Sequence, residues 1–329
     1  MASCCIVFTT DATYLFPTLV AAIGARKHCP ADKADVCIYC FDAHEAAKRA
    51  FAPVCERESI ELTFLNSSII EGANPMMARL FLTRFVPSRC TDVLYLDGDI
   101  LVTGSLAPLI DAQVPPDHFL AANDPFTFLL DDDTRQSRDL QSYLQHAGFT
   151  LDQARSYFNS GVLRMNKNGW EQIGSDAWNY FSRNPSKSRF PDQDAINFTG
   201  MDKRLPLSFC WNYPAFFRNA RVEDRIAPKI HHFMSMPKPW HGQFSPWNAR
   251  FRSAYAFPLE RYPQILPFAI SMPRHQRWKY TLQQRAKQIS ETMTWGLSRR
   301  RDRILAYERA CIPLSKSSAL SPLSPPSIF

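Results

Sequence analysis

The chain has 329 residues, 45% of them hydrophobic, and a formal net charge of +7: enough apolar material for a sizeable core and too much for intrinsic disorder. The sequence passes from Met1 through Ser3 straight into Cys4-Cys5-Ile6-Val7-Phe8, with no basic leader and no small-residue cleavage site. No window approaches eighteen uninterrupted apolar residues, so neither a secreted protein nor a membrane-spanning helix is expected.

Short apolar runs alternate with helical stretches through the first 130 or so residues, the pattern of a mainly parallel α/β sheet covered by helices. Strands are predicted at 5–9, 36–41, 62–65, 93–96 and 119–122, and helices at 15–27, 43–51 and 76–85. Cys37-Ile38-Tyr39-Cys40 has redox-motif spacing, but along a strand that spacing turns the two sulfurs to opposite faces and predicts core packing. Nine cysteines, an odd number scattered from Cys4 to Cys311, suit a reducing compartment better than a disulfide framework, and a cytoplasmic location is expected. A further strand at 157–165 is broken by Asn159-Ser160-Gly161, a polar step that marks a bulge or a site. Helices follow from 168 or 169 to 181, and from Asp192 onward, where Pro191 suits a helix start.

Composition changes after about residue 251. Between Arg274 and Arg309 stand ten Lys or Arg against three Asp or Glu, a surplus equal to the whole chain's net charge. Trp278, Tyr280, Trp295 and Tyr307 are interleaved with that charge. A basic aromatic segment of this kind suits an anionic membrane surface, with a solvated basic helix as the plain alternative; nucleic acid is not the favoured partner. The division expected is a main α/β domain over 1–250, a basic helical appendage over 251–312 and a disordered Ser/Pro-rich tail over 313–329.

The most informative stretch is Val93-Leu94-Tyr95-Leu96-Asp97-Gly98-Asp99-Ile100-Leu101-Val102. A buried strand ending in Asp-x-Asp carries two carboxylates to a sheet edge, where hard oxygens can hold a divalent cation against a phosphate. Gly98 lets a ligand approach the backbone closely. A surface turn between two strands is the ordinary reading of the same residues.

Several other segments fall into register with this strand, and together they resemble the family-8 retaining glycosyltransferases, which include bacterial lipopolysaccharide galactosyl- and glucosyltransferases and glycogenin. Ile6-Val7-Phe8-Thr9-Thr10-Asp11-Ala12-Thr13-Tyr14 is similar to that family's uridine-binding opening, and Ala78-Arg79-Leu80 to its donor-binding Arg. Tyr95 to Asp99 resembles its metal motif, Phe158 to Leu163 its sugar-side strand, Asp192-Gln193-Asp194 its catalytic signature, and His232 to Trp240 its closing metal and phosphate segment. The matched stretch runs from residue 5 to 241. The resemblance implies a GT-A type, Rossmann-like fold and a UDP-hexosyltransferase that moves galactose or glucose to a glycan or lipid-linked glycan, and the basic aromatic segment adds the expectation of a peripheral place on the inner face of a membrane.

It also implies roles. Asp97, Asp99 and His232 form an O/O/N set that suits Mn²⁺ or a similar cation, while Lys238 adds a fixed positive charge beside the phosphates. Arg79 can fork onto phosphate or sugar hydroxyls, Asp11 can accept from the uracil imide and Tyr14 can stack on its ring. Asp124, Asn159, Asp192 and Gln193 match positions near the sugar. Ordinary readings stand beside these: His231 or His232 as a plain strand residue, Asp11 as a helix cap, Asn159 as a local backbone partner and Trp240 as packing. Ser235 occupies a position where the family usually has Gly, and Thr13 one that commonly bears an amide. Two other classes compete. Leu96-Asp97-Gly98-Asp99 also looks like the opening of a haloacid-dehalogenase phosphatase with Asp97 as nucleophile, and a catalytically silent sugar-nucleotide-binding protein would carry the same motifs.

Overall fold

The computed structural model describes residues 3–185, 188–242, 247, 249–311 and 314. Among the described residues ten strands lie in chain order: β1 (Cys4–Asp11), β2 (Ala34–Phe41), β3 (Glu61–Leu65), β4 (Asp92–Leu96), β5 (Ile100–Val102), β6 (Phe119–Ala121), β7 (Val162–Asn166), β8 (Arg204–Pro206), β9 (Tyr213–Pro214) and β10 (Ile230–His232). Seven form the central sheet in the order β3-β2-β1-β4-β7-β6-β8. β1 to β4 are mutually parallel where they pair, β8 is parallel to β6, and β7 alone runs antiparallel to both of its neighbours.

The long apolar runs have a simple cause: the sheet is covered on both sides. Ile6 and Phe8 of β1 join a core with Leu15, Phe16 and Leu19 from the helix Leu15–Lys27. Cys5 and Val7 face the opposite core, which holds Trp170 of the helix Lys167–Arg183 and Ile196 of the helix Pro191–Gly200. The inner strands β1, β2 and β4 therefore bury alternate residues in two cores, as a helix-covered parallel sheet does.

A second, three-stranded sheet, β5-β10-β9, continues from β4 through the Asp97-Gly98-Asp99 turn. β10 runs antiparallel to β5 with His232 opposite Ile100. That pairing carries the imidazole from a distant part of the chain to the end of β4.

The expected elements differ from the structure in three places. The helix predicted at 76–85 is a 3₁₀ segment, Pro75–Arg84, with a kink at Phe81. The strand predicted at 157–165 is ordered as β7 only from Val162, because Asn159-Ser160-Gly161 leaves the ladder, and Phe158 makes an isolated bridge to Asn123. Cys5 and Cys90 are joined by a disulfide with Cα atoms 5.8 Å apart, where no disulfide framework was expected; Cys90 leads into β4, the parallel neighbour of β1. The other seven cysteines are free, and Cys37 and Cys40 are core residues of β2 as their spacing suggested.

The helix Ala249–Arg261 runs across the compositional division at residue 250 and buries Phe251 and Tyr255 in the first core. The basic segment itself splits into two kinds of surface. On the helix Arg274–Glu291 no residue is buried, and Trp278 is 70% exposed. Further on, Trp295 is buried against Phe217, and Arg300 is buried, stacked over the Trp295 ring at 5.0 Å and paired with Asp132. Tyr307 packs on Phe209 at 5.1 Å. Trp295 and Tyr307 are thus core contacts, not interfacial aromatics, because one face of the last helix (Arg299–Ala310) docks onto the domain. No helix among the described residues is long and apolar enough to cross a membrane. The Ser/Pro-rich tail over 313–329 lies, apart from Leu314, outside the described residues.

Candidate active site

β4 delivers Asp97 and Asp99 to the junction of the two sheets, and β10 delivers His232 to the same point. Ligand atoms of Asp97, Asp99 and His232 all lie within 4.8 Å of one another. His232 Nε2 is 3.1 Å from Asp99 Oδ1 and 3.8 Å from Asp97 Oδ2. On its other side, His232 Nδ1 is 2.8 Å from Asn212 Oδ1, while the Asn212 amide donates to Asn159 Oδ1 at 2.9 Å. With the Asn212 oxygen facing the ring, Nδ1 carries the hydrogen and Nε2 is the atom turned toward the carboxylates, the usual device for presenting an imidazole to a metal.

The fit to a cation shows in what the site has left out. A Cβ on Gly161 would stand 2.3 Å from His232 Cε1 and 2.7 Å from Asp97 Oδ2, so the missing side chain is the room in which the cluster sits. Two carboxylates and one imidazole suit Mn²⁺ or a similar ion. Gly161→Ala is expected to displace His232 and weaken Mn²⁺ binding by ~10–100-fold, as changes behind metal ligands do. Direct Mn²⁺ titration checks it, and unaltered affinity would detach Gly161 from the cluster.

Charge compensation around the two carboxylates is asymmetric. Burial raises the Asp99 carboxyl, but His232 and Lys238 outweigh it and hold the group below the usual carboxylate range; Lys238 Nζ is 2.7 Å from Asp99 Oδ2. Asp97 is raised by burial, which the nearby Arg79 only partly opposes.

Arg79 is 5% exposed. It donates to Asp97 Oδ1 at 2.7 Å and to Ser160 O at 2.8 Å. Its Nε lies 3.0 Å from Asp192 Oδ2 but off the hydrogen-bond direction, an ion pair without a hydrogen bond. The guanidinium thus links the metal motif to the carboxylate of Asp192. A buried charge pair of this kind is costly to break from one side, by ~3–5 kcal/mol.

Gln193 is held on every side. Its Oε1 accepts from Asn159 Nδ2 at 2.9 Å and Ser160 N at 3.1 Å; its Nε2 donates to Asp124 Oδ2 at 3.1 Å and to Tyr157 Oη at 3.3 Å. Asp124 also accepts from Asn159 at 3.3 Å, and burial raises its carboxyl against these hydrogen bonds. Asp194 fixes the helix start from below, accepting from the Tyr143 and Tyr157 hydroxyls and from Phe190 N.

The structure therefore brings Asp97, Asp99, His232, Lys238, Arg79, Asn159, Asp192, Gln193 and Asp124 into one connected network. Asp11 stands apart from it: its Oδ1 caps the following turn, accepting from Thr13 N at 2.9 Å and Tyr14 N at 3.0 Å. Tyr14 lies close by the metal motif, since a Cβ on Gly98 would meet it at 3.4 Å. Its ring meets Trp240 edge-on at 5.5 Å, and Trp240 packs on Tyr255. Sequence reasoning missed Asn212, Ser160 and Tyr157. The polar step 159–161 signalled Ser160, whereas Asn212 sits in a stretch without any motif.

Residues 5–243 match the family model of glycosyl transferase family 8. The chain belongs to that family. Among curated relatives, lipopolysaccharide glucosyltransferase WaaO of Escherichia coli K12 is 26% identical over 172 residues, covering 50% of this chain and 48% of WaaO. A lipopolysaccharide 1,2-glucosyltransferase of Escherichia coli is 25% identical over 227 residues, 63% of this chain and 62% of that protein. The chain thus spans less than two thirds of either relative. Galactosyltransferase LgtC, solved with donor and acceptor sugar analogs, superposes with a TM-score of 0.61 at 24% identity, covering 84% of this chain and 99% of LgtC. Glycosyltransferase GlyE of Streptococcus pneumoniae TIGR4 does so with 0.56 at 19%, covering 79% of this chain and 64% of GlyE. The fold is that of these GT-A family-8 proteins, and membership sets aside the phosphatase alternative.

Proposed function

We propose that this family-8 chain is a metal-dependent retaining transferase that moves a hexose, galactose or glucose, from a UDP-sugar to a glycan or lipid-linked glycan. The observation that carries this reading is the Asp97/Asp99/His232 cluster over the clearance at Gly161. A cation held there supplies positive charge against the charge that builds on a departing diphosphate. Lys238, fixed beside Asp99, adds a second positive charge on that side. Asp11 and Tyr14 serve the uracil end.

On the sugar side, Asn159 and Asp124 hold Gln193 and each other, and Asp192 joins them through Ser160, whose N–H donates to Gln193 and whose hydroxyl donates to Asp192. Gln193 offers an amide, a poor nucleophile, and the Asp192 carboxylate is engaged by Arg79 and Ser160. Such a pair supports a short-lived oxocarbenium-like ion attacked from the front face in preference to a covalent intermediate. The test is a donor screen across UDP-, GDP- and ADP-sugars, read by nucleotide release with and without Mn²⁺. UDP release confined to Mn²⁺ supports the reading; its absence with every donor makes the chain a silent binder.

The proposal includes a place for the reaction, the anionic inner face of a membrane. Trp278, Leu282 and Ile289 are exposed on one face of the helix Arg274–Glu291, with exposed Arg274, Lys279 and Arg285 around them. Each basic residue near such a surface contributes ~1 kcal/mol. Reversing Lys279 and Arg285 to Glu is expected to cut co-sedimentation with anionic vesicles at low salt by at least tenfold. Arg300 is the wrong residue for that test, because its charge is already committed to Asp132. Unchanged binding, or none by the wild type, would remove the membrane from this proposal.

A further inference from the structure

The last helix, Arg299–Ala310, lies outside the matched family segment, yet it touches the Asp124 side of the candidate site at two points. At one, Tyr307 Oη accepts from Asn123 N at 3.1 Å and donates to Leu207 O at 2.7 Å. Asn123 precedes Asp124, whose own N–H donates to Tyr157 O at 2.9 Å. At the other, Arg300 and Arg303 both pair with the Asp132 carboxylate. The segment between, Asp124 with the 3₁₀ turn Pro125–Leu129, is thereby held at both ends by one helix. Glu308 secures the same helix to the neighbouring loop, accepting from Ser208 Oγ and Phe209 N, each at 2.6 Å.

We propose that this helix is a brace for the segment carrying Asp124 and that Tyr307 is a positioning residue for the transfer reaction. The inference rests on the transferase reading above. The line of influence is short: Tyr307 fixes the Asn123 backbone, Asn123 sets where Asp124 stands, and Asp124 Oδ2 orients the Gln193 amide at 3.1 Å. Removing the Tyr307 hydroxyl leaves the Asn123 N–H without its acceptor beside residues that must hold their geometry. Turnover depends steeply on such placement, whereas donor binding rests on Asp97, Asp99, His232 and Lys238 at the far side of the network.

The test uses the full chain with Tyr307→Phe and, separately, Asp132→Asn. Three quantities are measured: Mn²⁺-dependent UDP release from UDP-galactose and UDP-glucose with water as acceptor, UDP affinity with Mn²⁺ by calorimetry, and backbone hydrogen exchange. Tyr307→Phe is expected to lower kcat about tenfold and Asp132→Asn about threefold, with UDP affinity unchanged within twofold. A merely structural residue would lower Tm and leave kcat intact well below it. Wild-type kcat in Tyr307→Phe overturns the brace, as does an equal loss of UDP affinity and kcat. If Tyr307→Phe does not fold, the partly exposed Asp132→Asn carries the same readings. If the wild type releases no UDP from either donor, the transferase reading falls and exchange decides the brace by itself. Faster exchange in Tyr307→Phe across 123–129 supports it, and a change confined to 305–310 overturns it.

Discussion

Asp97→Asn and Asp99→Asn are each expected to lower kcat/KM for Mn²⁺-dependent transfer by about a thousandfold, since a cation in this position supplies several kcal/mol of charge stabilisation. Each change removes one anionic oxygen from a three-residue ligand set and keeps the side chain's size. The fold is expected to persist. Asn at 97 can still accept from Arg79 Nη2 and from the Tyr95 hydroxyl, which lie 2.7 and 3.1 Å from Asp97 Oδ1. Asn at 99 leaves Lys238 its bond to the Phe233 carbonyl. UDP release and Mn²⁺ titration, run on variants shown folded by circular dichroism, check this. Wild-type turnover in either variant would sink the metal assignment.

Gln193→Ala and Lys238→Ala are expected to separate chemistry from binding. Gln193→Ala takes away an amide fixed by four hydrogen bonds, and it lowers kcat by about a hundredfold while UDP affinity in Mn²⁺ stays near the wild-type value. Lys238→Ala acts before the chemistry begins. It removes a cation that also holds Asp99 Oδ2, and it weakens UDP binding by ~10–100-fold in addition to its effect on kcat. Calorimetric titration of UDP with Mn²⁺ into both proteins decides the matter. Equal affinity for wild type and Lys238→Ala would take the lysine out of the site.

Much of the fold could be read from the chain because β1, β2 and β4 are buried on both faces, and a short continuous apolar run such as Val93 to Leu96, bounded by polar residues, is what a strand between two helix layers requires. Asp97 and Asp99 were legible for the same reason: two carboxylates at the end of such a run must emerge at a sheet edge. His232 was legible only through the segment up to Trp240, since β10 is three residues long and two of them are histidines. Asn212 was not legible at all. It reaches His232 because β9 pairs with β10, and a single Asn between Trp211 and Tyr213 carries no pattern that foretells the pairing. Trp295 and Tyr307 were misread because composition records the charge of a helix but not which face finds a partner. Arg79 kept its place next to the metal motif, but only coordinates could reveal how many of its donors are engaged by Asp97 and Ser160.

The proposed cation ligands are joined across a long stretch of chain: Asp99 and His232 stand 133 residues apart. Bringing them together requires β10 to add to β5 across that separation, so the complete donor set depends on a non-local pairing that a growing chain can make only after β10 has been synthesised. A nascent chain that has emerged only as far as β9 carries the carboxylates without the imidazole. On the proposed metal reading, Mn²⁺ would discriminate between finished and unfinished molecules. Bound to the native state alone at a free concentration of 100 Kd, it would shift the folding equilibrium by ~2.7 kcal/mol. Retention on a Mn²⁺–UDP matrix would then sort completed folds from arrested ones during purification.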